Sequence, residues 1–264
     1  GSRRFPGKPL AELAGETMLA RVVAIARAAA RAGDGDVAVY VTTEDARIAE
    51  HCAVLEVECL MTPGACPSGT DRVAAALSQL SPAPESVINL QGDAPLTPVA
   101  WVTALMEGLA RAEAAGWDVV TPVLPLPWEA LDAWRERKRA HPFSGTSAVF
   151  DATTGRALWF SKQILPAMRD EARLRAREPS PVYRHIGLYG YRRAALATFS
   201  ALPESPHERL EGLEQLRLLT HGYRVGCLPV SAATVPHLSG VDSPEDLAHA
   251  EACLVGAEGD QPTP

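Results

Sequence analysis

The stretch Val87-Ile-Asn-Leu-Gln-Gly-Asp-Ala-Pro95 joins an apolar run to a polar turn. Residues 87–91 have the composition of a buried strand, and the glycine and proline after them end it. Asp93 therefore lies at the carboxyl end of a predicted strand, where open α/β sheets bind their ligands. A carboxylate beside a glycine suits Mg²⁺ bound to phosphates, whereas an aspartate before a proline can instead cap a helix. The stretch alone leaves both interpretations open.

Strands and helices alternate on both sides of this stretch. The predicted strands are 37–42, 57–61, 87–91 and 117–124, and the predicted helices are 10–32, 44–55, 71–80 and 98–115. Alternation with short links predicts an α/β fold with a mostly parallel central sheet and helices on both faces.

The regular alternation of predicted strands and helices ends after Pro127. Short strands are predicted at 146–150, 157–160, 182–192 and 225–229, and helices at 128–140, 208–221 and 243–255. The charged run 135–139 predicts a solvated helix face. We therefore place an α/β core at 1–127, a smaller α+β subdomain at 128–228, a return to the core at 229–255 and a disordered tail at 256–264.

Composition bounds the class of protein. The 264 residues are 47% hydrophobic and 22% charged, with a net charge of −7, which argues against a nucleic-acid binder. No apolar run reaches membrane-spanning length, so no membrane partner is expected. Five cysteines without a C-x-x-C spacing indicate reduced thiols in a cytoplasmic protein.

The first ten residues, Gly1-Ser-Arg-Arg-Phe-Pro-Gly-Lys-Pro-Leu10, form a local excess of cations in an acidic chain. Prolines and glycines exclude regular structure, so this is a shaped loop. Guanidinium, ammonium and free backbone N–H groups suit a polyphosphate. The alternative is a disordered basic terminus.

Three other segments carry polar groups with two interpretations each. Ser68-Gly-Thr-Asp-Arg72 opens a helix and could bind phosphate or ribose, or could be a capping box with a surface salt bridge. On a helix from 208 to 221, Glu208, Glu211 and Gln215 share one face, which could bind sugar hydroxyls or face water. His185, in a predicted strand, could orient a carboxylate or hydroxyl, or be structural.

Six segments occur in an order that closely resembles the 3-deoxy-manno-octulosonate cytidylyltransferase (CMP-Kdo synthetase) family. They are residues 1–10, 68–72, 89–95, 183–192, 213–217 and 240–247. The resemblance runs from Gly1 to about Glu251 and implies a Rossmann-like nucleotidyltransferase. It implies that CTP and Kdo give CMP-Kdo and pyrophosphate for lipopolysaccharide synthesis, with Mg²⁺ as cofactor, and that the enzyme is a homodimer. The core would then bind nucleotide, and the subdomain would bind sugar and form the dimer.

The resemblance also implies residue roles. Those implied for CTP binding are Ser2, Arg4, Lys8, Ser68, Arg72 and Gln91. Those implied for sugar binding are Gln91, Lys162, His185, Tyr189, Glu211, Glu214 and Gln215. Asp93 and Asp242 would hold Mg²⁺, and catalysis would rest on Arg4, Lys8 and Asp93.

The chain also departs from the family pattern. The family's opening strand is absent, so we expect residues before Gly1. Lys162 replaces an arginine, and Ser147 stands where the family commonly has a lysine. These changes leave an 8-amino-Kdo or a sialic-acid-like sugar as alternatives. A metal-dependent glycosyltransferase, suggested by Asp34-Gly-Asp36, and a non-catalytic nucleotide-binding paralogue are the rivals from other classes.

Overall fold

The computed structural model describes residues 7–33, 35–232, 240–241 and 243–258. Within them the strands are β1 Glu12–Leu13, β2 Glu16–Thr17, β3 Tyr40–Thr43, β4 Glu58–Met61, β5 Ser86–Asn89, β6 Val119–Pro125, β7 Ser147–Phe150, β8 Ala157–Ser161, β9 Tyr183–His185, β10 Tyr189–Arg192 and β11 Val225–Pro229. The helices are α1 Met18–Ala32, α2 Ala46–Val54, α3 Gly69–Leu77, α4 Val99–Ala115, α5 Trp128–Ala140, α6 Glu171–Arg175, α7 Arg193–Phe199, α8 Pro206–Glu211, α9 Gln215–Thr220 and α10 Pro244–Glu258, and a short 3₁₀ turn covers Lys8–Leu10. The α/β class is confirmed.

The chain forms two compact units, residues 1–103 with 233–264, and residues 104–232. The boundaries expected at 127 and 228 remain predictions. Helix α10 continues through Glu258, three residues into the expected tail, and residues 259–264 lie outside the described part. No helix within the described residues combines the length and apolar character needed to cross a bilayer.

The first unit has two separate apolar clusters, and both include residues from the first turns of α1. Thr17 caps α1 by accepting from the Ala20 N–H at 3.1 Å. Leu19 and Val23 then pack with buried residues of α2 and with Val57 before β4. Leu13 and Met18 pack instead with Val241 and Ala250, so α10 packs against β1 and the start of α1. β3 and β4 pair in parallel, as expected for this half.

The sheet of the second unit is mixed, and β6, which was expected in the mostly parallel core, lies in it beside strands of the segment 128–228. In this sheet β6 pairs with β9 and β10 along one edge and with β11 along the other, β9 pairs next with β7, and β7 pairs with β8. Only the β11–β6 pair among these is parallel; the others are antiparallel. The physical reason is connection length, because the short turn between β7 and β8 can join antiparallel neighbours but cannot hold a crossover helix.

The expected single strand at 182–192 is broken into β9 and β10. Both pair with the same side of β6, with His185 opposite Val123 and Gly190 opposite Val120. Five residue steps on one strand (185 to 190) therefore oppose three on the other (123 to 120), so the segment 186–188 bulges by two residues. The Thr121 hydroxyl contacts two carbonyl oxygens of this bulge, those of Ile186 at 3.1 Å and Leu188 at 2.9 Å.

The expected helix at 208–221 is also broken, so its predicted faces are wrong. Gly212 adopts a left-handed conformation, φ 63°, and ends α8 before α9 begins. Glu208, expected on a polar face with Glu211 and Gln215, is only 5% exposed, whereas the neighbouring Leu210 is 76% exposed. The break turns each residue of this segment toward a different neighbour.

Candidate active site

Lys8 and Asp93 form a largely buried ion pair in the first unit. The Lys8 Nζ lies 2.5 Å from Asp93 Oδ2, although 85 residues separate them. Gly7, in a left-handed conformation with φ 74°, precedes the 3₁₀ turn that carries Lys8 inward. The structure thus brings together the lysine predicted for phosphate and the carboxylate predicted for metal.

Residues 240–241 lie against Asp93. The Val241 N–H donates to the Asp93 carbonyl at 2.8 Å, and a Cβ added to Gly240 would lie 3.7 Å from Asp93 Oδ1. Asp242 follows directly in sequence but lies outside the described residues, as do Ser2 and Arg4. Among the side chains that are described, no group of three or more His, Cys, Asp or Glu is arranged to hold a metal ion.

The donor set at Asp93 nevertheless fits Mg²⁺. This ion commonly takes only one or two protein carboxylates and completes its octahedron with phosphate oxygens and water. Asp93, with a second carboxylate next in sequence to Val241, would supply that number. A cluster of three protein ligands is therefore not required here.

Ser68 and Arg72 are engaged within the protein. Ser68 caps α3, accepting from the Asp71 N–H at 3.2 Å and donating to the Asp71 carboxylate at 2.7 Å. Arg72 pairs with Glu44 at 2.5 Å and donates to Thr62 Oγ1 at 2.7 Å. These are the contacts of the capping interpretation, and the CTP-binding roles of both residues stay predictions.

Gln91 lies beside the first residue of α3. Its Nε2 donates to Asn89 Oδ1 at 3.1 Å, and a Cβ added to Gly69 would lie 3.1 Å from Gln91 Oε1. That approach is closer than ordinary van der Waals contact, so a glycine at position 69 leaves room for the Gln91 amide.

Glu211 and Lys162 meet in the second unit. The Glu211 carboxylate accepts from the Lys162 backbone N–H at 2.7 Å and from the Ser161 hydroxyl at 2.8 Å. The Lys162 ammonium donates to Thr146 Oγ1 at 3.2 Å. Burial lowers the pKa of Lys162, and the Glu211 charge opposes that shift. Glu211 therefore holds the backbone that carries Lys162.

His185 and Tyr189 are brought together by the 186–188 bulge. Four residues of regular strand would span about 13 Å, yet the two ring centroids are 5.5 Å apart. Burial, with the nearby Lys162 charge, lowers the pKa of His185 to about 3. Burial and the neighbouring Tyr191 raise the pKa of Tyr189 well above its usual value. Both rings are therefore neutral at physiological pH.

Gln215 and Glu214 open α9. Gln215 is only 3% exposed, and within the described part of the chain nothing hydrogen-bonds to its Nε2. A buried amide without a partner calls for an explanation, and a substrate oxygen would supply one. Glu214 is exposed at the N-cap position of α9.

Lys138 and Thr121 are site neighbours that the sequence interpretation missed. Lys138 lies in the charged run predicted to face solvent, but its Nζ donates to the Lys162 carbonyl at 2.5 Å and to the Pro142 carbonyl at 3.0 Å. Thr121 bonds to His185 from inside the predicted strand 117–124. Spacing gives no signal for either, because each contact depends on how distant segments meet.

Ser147, the noted departure, is buried. Its hydroxyl donates to the Gln163 carbonyl at 2.6 Å and accepts from the Leu165 N–H at 3.2 Å. The Ser147 hydroxyl therefore stabilises the backbone of a turn and does not line an open pocket.

Residues 1–225 match a family model described as cytidylyltransferase, which covers most of the chain and defines its class. The 3-deoxy-manno-octulosonate cytidylyltransferase of Maricaulis maris is 39% identical over 98% of this chain and 95% of the relative. The protein of the same name from Anaeromyxobacter sp. is 40% identical over 96% of this chain and 93% of the relative. The chain therefore belongs to the 3-deoxy-manno-octulosonate cytidylyltransferase family, as its motifs predict.

Solved structures agree on the fold. A structure of CMP:2-keto-3-deoxy-manno-octonic acid synthetase complexed with CTP superposes with a TM-score of 0.80 at 30% identity, over 97% of this chain and 95% of the other. A 4-diphosphocytidyl-2C-methyl-D-erythritol synthase from Anaerococcus prevotii gives a TM-score of 0.58 at 11% identity, over 96% and 94%. The second likeness concerns the fold alone.

Proposed function

We propose that this chain transfers the cytidylyl group of CTP to 3-deoxy-D-manno-octulosonate, giving CMP-Kdo and pyrophosphate in a Mg²⁺-dependent reaction. The observation that carries the proposal is the Lys8–Asp93 pair. An ammonium and a carboxylate at the end of a strand are the two groups that a metal-bound triphosphate requires. They occur here in a chain whose relatives are named for cytidylyl transfer.

In the proposed reaction a sugar hydroxyl oxygen forms a bond to the α-phosphorus of CTP. The bond from that phosphorus to the bridging oxygen breaks, pyrophosphate leaves, and the hydroxyl proton passes to solvent. Lys8, with Arg4, binds phosphate oxygens and stabilises the charge that develops on them. Asp93 and Asp242 would hold Mg²⁺, which neutralises triphosphate charge and orients the leaving group when bound.

The sugar acid is assigned to the residues of the second unit. Lys162 supplies a cation for the carboxylate, and the Gln215 amide supplies a buried donor that lacks a partner among the described residues. Lys162 lacks the bidentate fork of the arginine that it replaces, so it binds the carboxylate as a point charge. Because Ser147 is bonded to backbone, it offers no group to the substrate. We therefore favour Kdo over its 8-amino derivative.

The test is sugar-dependent pyrophosphate release from CTP. The purified chain is assayed with Mg²⁺ and either Kdo, 8-amino-Kdo, N-acetylneuraminate or no sugar. We expect Kdo to support the fastest release, with activity lost in EDTA and restored by Mg²⁺. A preference for N-acetylneuraminate, or release that needs no sugar, would contradict the proposal. Faster release with 8-amino-Kdo would change the substrate but keep the reaction class.

Two further assignments rest on the family resemblance. We propose a homodimer, to be tested by light scattering on the purified chain. We also propose a cytoplasmic location, in keeping with free cysteines throughout the described residues. Fractionation of the source cells would test it.

A further inference from the structure

Thr121 and His185 share a hydrogen bond in the interior of the second unit. Thr121 Oγ1 lies 2.9 Å from His185 Nε2, and both residues are buried. The same oxygen lies 2.9 Å from the Leu188 carbonyl and 3.1 Å from the Ile186 carbonyl. One hydroxyl thus has three partners but only one proton to donate.

The proton count fixes each group's role. A carbonyl oxygen can only accept, so the threonine proton is directed at the two carbonyl oxygens, closest to that of Leu188. The threonine oxygen then has lone pairs but no second proton for the histidine. The proton in the Thr121–His185 bond must therefore come from His185 Nε2.

We propose that Thr121 is a positioning residue that locks His185 in its Nε2–H tautomer and so sets which substrate group the ring can recognise. In that tautomer the other ring nitrogen, Nδ1, carries a lone pair and no proton. It can accept a hydrogen bond from a sugar hydroxyl, and it repels a carboxylate. The inference rests on the proposed function, because it assigns His185 to a hydroxyl of the sugar acid rather than to its acidic end.

Surrounding groups hold the imidazole in place and keep it neutral. Phe160 packs edge-on against the ring with centroids 5.0 Å apart, and Tyr189 lies on it at 5.5 Å. The His185 N–H also donates to the Thr146 carbonyl at 2.8 Å, which fixes the backbone. Burial keeps the pKa of His185 far below neutrality, so the ring does not gain a second proton that would remove the acceptor.

Two residues of the second unit therefore have different roles in binding the sugar acid. Lys162 carries positive charge for the carboxylate, while neutral His185 accepts from a hydroxyl. A sugar lacking that hydroxyl would leave a buried acceptor unpaired, which is the strongest form of discrimination that hydrogen bonding gives.

The first measurement is the tautomer itself. A two-bond ¹H–¹⁵N correlation spectrum of the ligand-free protein separates Nε2–H from Nδ1–H histidines, and a His185→Asn spectrum assigns the signal. We expect Nε2–H. An Nδ1–H signal for His185 would overturn the proposal, whatever the enzyme's substrate.

The second measurement separates positioning from stability. In Thr121→Val the isosteric side chain cannot accept, so we expect an Nδ1–H population and about a tenfold rise in KM for the sugar acid, the scale of one hydrogen bond. The KM for CTP should stay within about twofold, since CTP is assigned to other residues. Thr121→Ser restores the hydroxyl and should restore both tautomer and KM.

Ser180→Ala is the matched control, because it removes a buried hydroxyl of the same unit that accepts from the Val182 N–H at 3.2 Å. It should leave the tautomer and both KM values unchanged.

If Thr121→Val does not fold, the wild-type spectrum and Thr121→Ser still test the proposal. Loss of the Nε2–H tautomer in Thr121→Ser overturns it. Absence of Kdo-dependent turnover in the wild type would refute the proposed function alone, since the spectrum reads the tautomer without substrate.

Discussion

Lys8 Nζ lies 2.5 Å from Asp93 Oδ2, so the cation predicted to bind phosphate is paired with a carboxylate in the ligand-free protein. Lys8 is only 7% exposed. Its removal should therefore affect both stability and CTP use, because it leaves a partly buried carboxylate without its partner.

The first prediction concerns Lys8→Met. We expect a loss of about 1–3 kcal/mol in the free energy of unfolding and a raised KM for CTP. Urea unfolding and initial rates at varied CTP would measure the two effects. Arg31→Met, which removes an exposed cation of the same unit, should change neither. Unchanged CTP kinetics in Lys8→Met would show that Lys8 has a purely structural role.

The second prediction concerns Gly69→Ala. The new methyl would lie 3.1 Å from Gln91 Oε1, so the Gln91 amide must move. Stability should hold or rise slightly, since alanine favours helix over glycine by about 1 kcal/mol, whereas kcat/KM should fall severalfold. Gly64→Ala is the control, because its methyl would meet nothing closer than 4.0 Å. Equal kinetics for the two variants would show that the position of Gln91 does not matter.

The third prediction concerns the backbone of Lys162. Glu211 accepts from its N–H and Lys138 donates to its carbonyl, so the peptide is held on both sides. Glu211→Gln with Lys138→Met should raise the KM for the sugar acid and spare the KM for CTP. The exposed Glu136→Gln is the matched control. If Glu211→Gln and Lys138→Met lowered the melting temperature but left the KM for the sugar acid unchanged, the result would count against a role in sugar binding.

The fourth prediction concerns Glu208 and Arg217, which pair at 2.6 Å with side chains 6% and 17% exposed. Arg217 also lies over the Phe199 ring, and Glu208 completes the capping box of α8. Glu208→Ala should cost about 3–5 kcal/mol of stability, as removal of one partner from a buried pair does. Breaking the exposed Arg139–Glu136 pair should have little effect. Calorimetry of Glu208→Ala and of a variant that lacks the Arg139–Glu136 pair would compare the two losses of stability.

The fifth prediction is a pH dependence of stability. The pKa of His185 is about 3 in the folded protein against 6.5 for an ordinary histidine, so between these values the unfolded chain binds one more proton. Stability from this residue is therefore complete above pH 6.5 and falls as the pH drops toward 3, by up to about 1.4 kcal/mol per pH unit. Urea unfolding between pH 7.5 and 5 would show it. His185→Gln should flatten this slope, and His141→Gln, at an exposed position, should not.

The sequence predicts much of the local structure, because local structure follows local pattern. The strand before Gln91 follows the apolar run that predicted it. The helix predicted from residue 10 begins only at Met18, because residues 12–17 form a short antiparallel hairpin. The 208–221 helix was predicted wrongly because its apolar repeat outweighed a single glycine, whereas in the structure Gly212 adopts a left-handed conformation and ends α8. Its polar residues are fixed by partners that the pattern does not contain, such as Arg217 for Glu208.

Most candidate site residues were predicted by resemblance rather than by spacing. Lys8 and Asp93 meet through two separate segments, and no periodicity links them. Thr121 and Lys138 act on other site residues through hydrogen bonds that form only in the folded chain. Contacts at long separation are set by packing, which a single sequence does not display.

The 186–188 bulge also bears on how this region tolerates mutation. Because successive strand residues point to opposite faces, deleting one residue between Ile186 and Leu188 would reverse the faces of all residues in β10. Tyr189 would then exchange its side of the sheet with Gly190. A library that varies the identity of these three residues can keep the binding surface, while one that varies their number cannot. The number of residues in this segment thus constrains the binding surface as strictly as their chemistry does.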